Sequence, residues 1–225
     1  INPRFDVLDV KNNKNKDDKI LIISVEVSSD KVVKSYDGRV FLRQNDKSKE
    51  LNFEQTLQLQ YDRGQRYFED EIVQLSGLND LDNNLINEYK DIMDISELSS
   101  EEVLKARNLL IDGKLTNAGI LLFGKNPSKF LPQARLRVIK YNGMHQMVGT
   151  EINIIKEKTF DGAIPNIIRE SREFINTQLR DFQYLDKDGR FKIMPEYPEF
   201  AWFEGIVNAL THRKYSIRKE HIKVL

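Results

Sequence analysis

Residues 38–59, Gly38-Arg39-Val40-Phe41-Leu42-Arg43-Gln44-Asn45-Asp46-Lys47-Ser48-Lys49-Glu50-Leu51-Asn52-Phe53-Glu54-Gln55-Thr56-Leu57-Gln58-Leu59, change hydrophobic period partway along. The first half, Arg39 to Arg43, sets three apolar residues between two arginines directly after Asp37-Gly38, a two-residue hairpin-turn signal with Val32-Val33 as the opposing arm. In the second half Phe53, Leu57 and Leu59 take helical spacing, which Tyr61-Asp62-Arg63-Gly64 interrupts. A switch from strand to helix, with no repeating βα units, predicts an α+β fold. The expected organisation is a small β-rich part over residues 1–48, a helical connector over 49–95 and a larger mixed α/β region over 96–225.

Towards the N-terminus, Ile20-Leu21-Ile22-Ile23-Ser24-Val25-Glu26-Val27 is a β-branched run that predicts a strand buried on both faces at its start. The polar stretch Lys11 to Lys19 ahead of it predicts a hairpin loop. Towards the C-terminus, Leu81–Tyr89 and Ser99–Leu110 predict two short helices, the second capped by Ser99-Ser100 with Glu101-Glu102 in its first turn. Asp112-Gly113 predicts a turn, and Leu115–Gly124 a short buried helix with Thr116 and Asn117 at its start. Ala134–Tyr141 predicts a strand with Thr150–Ile155 as its partner. Phe160–Phe182 predicts an amphipathic helix entered at Pro165. Asp186–Gly189 predicts a loop, and Pro195 and Pro198 bracket an extended connector. Glu199–Thr211 predicts a last helix that buries Phe203, Ile206, Val207 and Leu210. The chain opens on Ile1-Asn2-Pro3 and closes on the alternating Glu220-His221-Ile222-Lys223-Val224-Leu225, which together suggest an excised piece of a longer protein.

Composition narrows the function. The chain has 225 residues, 40% of them hydrophobic and 31% charged, with 35 Lys+Arg against 35 Asp+Glu. A balanced charge argues against a polyelectrolyte binder while leaving room for local basic patches. With no cysteine, thiolate catalysis and cysteine–zinc sites are excluded, and three histidines make a multi-histidine metal centre implausible. No apolar run is long enough to span a bilayer and no export leader opens the chain, so a cytoplasmic protein without a membrane partner is expected.

Two constellations could carry chemistry. Glu204 and Asn208, four apart on the last helix, project from one face and could orient a water and ligate magnesium through oxygens. The same spacing is common on ordinary solvent-facing helices. Arg39 and Arg43 on the hairpin, with Lys31, Lys34, Lys47 and Lys49 nearby, could reach phosphates, and Tyr36 and Phe41 could stack on bases. The competing reading is an edge strand guarded by charge. Arg135, Arg137 and Lys140 make a second basic stripe that reads as surface. His212 reads as a structural hydrogen-bonding residue rather than a general base.

The run Phe203-Glu204-Gly205-Ile206-Val207-Asn208-Ala209-Leu210-Thr211-His212-Arg213-Lys214-Tyr215-Ser216 resembles the "EalvNAlvHRdYs" segment of the bacterial Schlafen-like (divergent AAA) transcriptional regulators. Members of that family are often labelled ATP-dependent DNA helicase or RecG-related. Gly113 to Lys125 resembles its "G-x-L-T-x-A-G-x-L-L-F-G" signature, and Lys19 to Ser48 resembles the end of its Schlafen-type DNA-binding domain. The three segments follow the family's order over nearly the whole chain. The resemblance implies that residues 1–48 are the C-terminal part of that domain, since its opening phenylalanine-Ala-Asn and Gly-Gly stretches have no match. It implies that Glu204 is the water-polarising catalytic residue and Asn208 the magnesium ligand in the first motif of a GHKL-like ATPase domain. The glycine-rich nucleotide boxes would follow residue 225, so ATP and Mg2+ are expected only in a longer chain. Lys214 departs from the family's Asp and puts an ion-pair role there in doubt. Gly113 to Gly124 lacks the Gly-Lys-Ser/Thr ending of a phosphate loop and reads as packing.

The leading expectation is therefore a nucleic-acid-binding transcriptional regulator, silent in catalysis by itself. Its partner would be DNA, with RNA as the alternative, and a homodimer is compatible. The competing class is an ATP-hydrolysing, helicase-labelled switch, and a Schlafen-type ribonuclease is a weaker third.

Overall fold

The computed structural model describes residues 3–143, 145–147, 149–218 and 221–225; Ile1, Asn2 and Glu220, which bear on the reading of the chain ends, lie outside them. The fold is α+β and divides into two compact units, residues 1–67 and 68–225. The division falls inside the expected 49–95 connector, because its first helix is tied to the hairpins and its later helices join the larger core.

In the first unit, β1 (Arg4–Lys11) and β2 (Asp17–Ser24) form an antiparallel ribbon in which Leu8 faces Ile20 and Lys11 faces Asp17. The loop therefore shrinks to residues 12–16, where the Asn12 carboxamide accepts the Lys14 and Lys16 N–H groups. The expected burial of the 20–27 run does not occur: Ile20 to Ile23 are all exposed, because each strand pairs only with the other and, among the described residues of this unit, no further strand joins the ribbon. Across Asp37-Gly38 there is a single bridge, Lys34 to Val40, with Gly38 at a φ of 82°. The longer pairing of β3 (Phe41–Gln44) is instead with β4 (Lys47–Glu50), around Asn45-Asp46. Asn45 takes the left-handed φ of 55° that such a turn demands. The Lys-Ser-Lys-Glu composition of β4 hides it from any hydrophobic pattern.

Helix α1 (Phe53–Asp62) follows at once, its N-terminus closed by a reciprocal capping box between Asn52 and Gln55. Beyond it the Gln65 carboxamide accepts the Val32 N–H at 2.9 Å and the Arg63 guanidinium donates to the Lys31 carbonyl. These two bonds clamp the segment before the hairpin onto the segment after the helix.

The second unit holds the main core. Helices α2 (Asn83–Ile92) and α3 (Ser100–Ala106) start at Asp82 and at the Ser99/Glu102 capping box. Helix α3 stops four residues short of Leu110, at a left-handed Asn108 (φ 56°). Leu110 instead opens the small hairpin of β5 (Leu110–Ile111) and β6 (Lys114–Leu115), turned by Asp112 and Gly113, both at positive φ. Helix α4 (Asn117–Phe123) begins where the Thr116 hydroxyl accepts the Gly119 N–H, and it buries Gly119, Ile120, Leu121 and Phe123. A Cβ on Gly119 would sit 2.5 Å from the Leu109 carbonyl oxygen, so only glycine allows this approach.

A three-stranded sheet has the order β11–β7–β8: β7 (Arg135–Tyr141) pairs antiparallel with β8 (Ile154–Asp161) and parallel with β11 (Ile222–Val224). The expected partner at 150–155 is corrected to β8, since Thr150 lies in a 3-10 turn and the strand continues through the polar Lys156 to Thr159. Phe160 accordingly ends a strand, and α5 (Ile164–Gln178) occupies the middle of the expected 160–182 helix. Phe182 lies in β9 (Asp181–Leu185), which pairs with β10 (Phe191–Pro195) in a hairpin turned at Asp186–Gly189. Helix α6 (Glu199–Thr211) buries Ile206 and Leu210, with Phe203 and Val207 half-buried. Among the described residues, no helix is long and apolar enough to cross a membrane.

Candidate nucleic-acid interface

Period-2 alternation puts Arg39, Phe41 and Arg43 on one face of the hairpin, with Ser48 and Glu50 of β4 opposite Arg43 and Phe41. The Arg39 guanidinium sits 5.3 Å from the centre of the Phe41 ring. It also pairs with Asp37 at 2.5 Å and Glu50 at 3.4 Å. Hydrogen bonding from Arg39, then from Ser35, holds the Asp37 carboxyl below its ordinary value, and Asp37 in turn raises Arg39. Since these groups are exposed, the pairs are weak and open to exchange for a phosphate. Arg43 donates from Nε to the Asn45 carbonyl at 3.0 Å and makes no ion pair among the described residues. Lys47 and Lys49 face Gln44 and Leu42, on the other side of the ribbon.

Lys34 and Arg39 come together in a cleft of about 360 Å³, where Arg66, Val40, Glu50 and the Phe53–Gln60 face of α1 complete the lining. Arg43 and Lys31 do not line it, although both are exposed. Tyr36 stands fully exposed beside the Asp37-Gly38 turn. Phe53 enters the sequence pattern only as a helical position, and Thr56, Gln60 and Arg66 are not singled out there; the 53, 56, 60 spacing along α1 could have pointed to the first three.

Glu204 and Asn208 are both exposed, one turn apart on α6 and away from buried Ile206 and Leu210. One carboxylate and one amide offer two of the roughly six oxygens that magnesium takes. Magnesium would fill the remaining positions with waters and phosphate oxygens, so this pair is compatible with such a site but does not by itself hold a nucleotide. The His212 side chain is exposed and makes no hydrogen bond among the described residues, so the structural role expected for it is corrected: its backbone N–H ends α6 on the Asn208 carbonyl. Tyr215 is the anchor of this run. Its buried hydroxyl donates to the Leu210 carbonyl at 2.8 Å, and its own carbonyl accepts from Gln133 at 2.6 Å. Burial pushes its phenol up to about 12. Arg135 and Arg137 are paired with Asp161 and Glu157, and Lys140 donates to the Gln178 carbonyl, so the second basic stripe is held within the unit.

A family described as "Domain of unknown function (DUF8451)" matches residues 58–137, from within α1 to within β7. No curated protein matches the chain. Among solved structures the chain is similar to the DIP2311 protein from Corynebacterium diphtheriae, at 18% identity and a TM-score of 0.51. The match covers 98% of this chain and 42% of that one, so this chain spans less than half the length of its structural neighbour. At that identity the likeness is one of fold.

Proposed function

We propose that the chain is the nucleic-acid-binding part of a Schlafen-like bacterial transcriptional regulator, acting in the cytoplasm on DNA. The observation that carries this reading is the exposed Arg39–Phe41–Arg43 face. It presents Arg39 and Arg43 on the same face of the hairpin as Phe41, with the Arg39 guanidinium over the Phe41 ring. Guanidinium groups bind phosphate oxygens bidentately, and such contacts supply affinity without sequence preference. Fluorescence anisotropy across a salt series tests it. Replacing both arginines (Arg39→Ala with Arg43→Ala) is expected to weaken duplex binding and to flatten the log–log salt slope by about 0.9 per lost phosphate contact. An unchanged slope and affinity would remove these residues from the interface.

A second reading, an ATP-hydrolysing switch, is favoured by the shared exposed face of Glu204 and Asn208. Turnover would require glycine-rich boxes that these 225 residues do not contain, with Mg2+ held in part by Asn208. In a chain that carries such boxes, Glu204→Ala is expected to abolish ATP turnover while nucleotide binding persists, because a water-orienting group acts on the transition state. Loss of binding and turnover together would instead mark Glu204 as structural.

A further inference from the structure

We propose that the cleft between the β3–β4 hairpin and α1 takes one unpaired nucleotide, its base stacked on Phe53 and its edge contacted by Thr56 and Gln60. This deepens the nucleic-acid reading and rests on it.

Four observations converge on the cleft. Its volume, about 360 Å³, falls near the lower end of the roughly 300–1,000 Å³ typical of small-ligand sites. Its floor is apolar, with Val40 buried and Leu51 and Leu57 half-buried. Phe53 stands in the first turn of α1 with 80% of its surface in water, a large apolar ring that the fold leaves uncovered. The Asn52/Gln55 capping box fixes that turn, so the ring's mounting is set in advance of any ligand.

Phe53, Thr56 and Gln60 recur at helical spacing on the face that lines the cleft. The Thr56 hydroxyl and Gln60 carboxamide make no side-chain hydrogen bond among the described residues. A hydroxyl and an amide beside an aromatic ring match the mixed donors and acceptors of a base edge.

The cleft's size suits a single nucleotide, and its charge suits a phosphate. Three cations, Lys34, Arg39 and Arg66, face one carboxylate, Glu50. Arg39 is held by Asp37 and Glu50 in exposed pairs that a phosphate can displace, and the Lys34 ammonium lies on the same cleft to meet that phosphate. A duplex keeps its base faces stacked inside, so Phe53 can meet a base only from an unpaired strand.

The test uses the full chain with a fluorescein-labelled 12-nucleotide oligothymidylate and a hairpin duplex of equal phosphate number, followed by anisotropy over a salt series. Phe53→Ala is expected to weaken single-strand binding about five- to hundred-fold with an unchanged salt slope, and to leave duplex binding as it was. Phe53→Tyr should restore the single-strand affinity. Circular dichroism of both variants should match the parent, since the ring is exposed. If the parent binds single strands with a steep salt slope and Phe53→Ala binds them equally well, the cleft is not the base site, while the nucleic-acid reading survives. If the parent binds neither probe, the nucleic-acid reading itself fails and the cleft proposal falls with it.

Discussion

Two four-residue runs of similar hydrophobicity end in opposite environments. Ile20-Leu21-Ile22-Ile23 lies in the β1–β2 ribbon of the first unit, each side chain 42–58% exposed. Ile120-Leu121-Leu122-Phe123 lies in α4 of the second unit, with Ile120 fully buried and Leu121 and Phe123 nearly so. Hydrophobic content does not separate them; the number of packing neighbours does. Helix α4 presents its apolar face to α2, α5 and the β5–β6 hairpin, and its glycine lets the Leu109 backbone close on it. A two-stranded ribbon has two faces and two edges and covers none of them itself. Apolar sequence says what a segment gains on burial; only the rest of the fold says whether burial is available.

The largest effect expected from this contrast is at Ile120. Ile120→Ala leaves a cavity in a fully packed site and should destabilise the second unit by about 2–5 kcal/mol. The single tryptophan, Trp202, lies in α6 of that unit, so its fluorescence in a urea titration reports the transition directly. A shift in midpoint worth less than about 1 kcal/mol would mean that α4 is not packed as described.

A smaller effect, with a pH signature, is expected at Tyr215. Its phenol titrates near 10 in the unfolded chain and is pushed up to about 12 in the fold, because burial disfavours the phenolate. The folded state therefore prefers the protonated form. The resulting stability is fully present below pH 10 and is lost as pH rises from there through about 12. Tyr215→Phe should cost about 1 kcal/mol at neutral pH, because the Leu210 carbonyl loses its donor. The cost should shrink in urea titrations between pH 10 and 12. A cost that stays constant over that range would refute the linkage.

The same contrast explains what could be read in advance. Helix α6 matches its expected span, Glu199–Thr211, because its start after Pro198 and its apolar periodicity are local. The Ser99/Glu102 box, the Asp112-Gly113 turn and the Thr116 cap were legible for the same reason: each is decided by side chains within three or four residues of the backbone they satisfy. Strands β4, β8 and β10 were not. Lys47–Glu50 and Lys156–Thr159 have no apolar alternation, and their partners are chosen by pairing rather than by composition. At the candidate interface, Arg39 and Arg43 could be placed on one face from period alone. The cleft could not, because it exists only once α1 folds back on the hairpin and Arg63 and Gln65 bind the Lys31–Val32 backbone.

The smallest effect is expected in the ribbon itself. Ile22 keeps 42% of its surface in water, so Ile22→Thr removes little burial and retains a β-branched side chain suited to a strand. Its effect on stability should stay within about 0.5 kcal/mol, the range of an ordinary surface substitution. Trp202 does not lie in this unit, so amide hydrogen exchange is the measurement to use. The β1–β2 amides should exchange orders of magnitude faster than those of α4, since their ladder opens without exposing a core. Ile22→Thr should leave both rates close to those of the parent. If ribbon amides were instead as protected as α4 at high protein concentration and lost that protection on dilution, a second copy would be covering the exposed isoleucines. The difference between the two runs would then be one of assembly rather than of fold, and Ile22→Thr would weaken the association while leaving the second unit's unfolding midpoint unchanged.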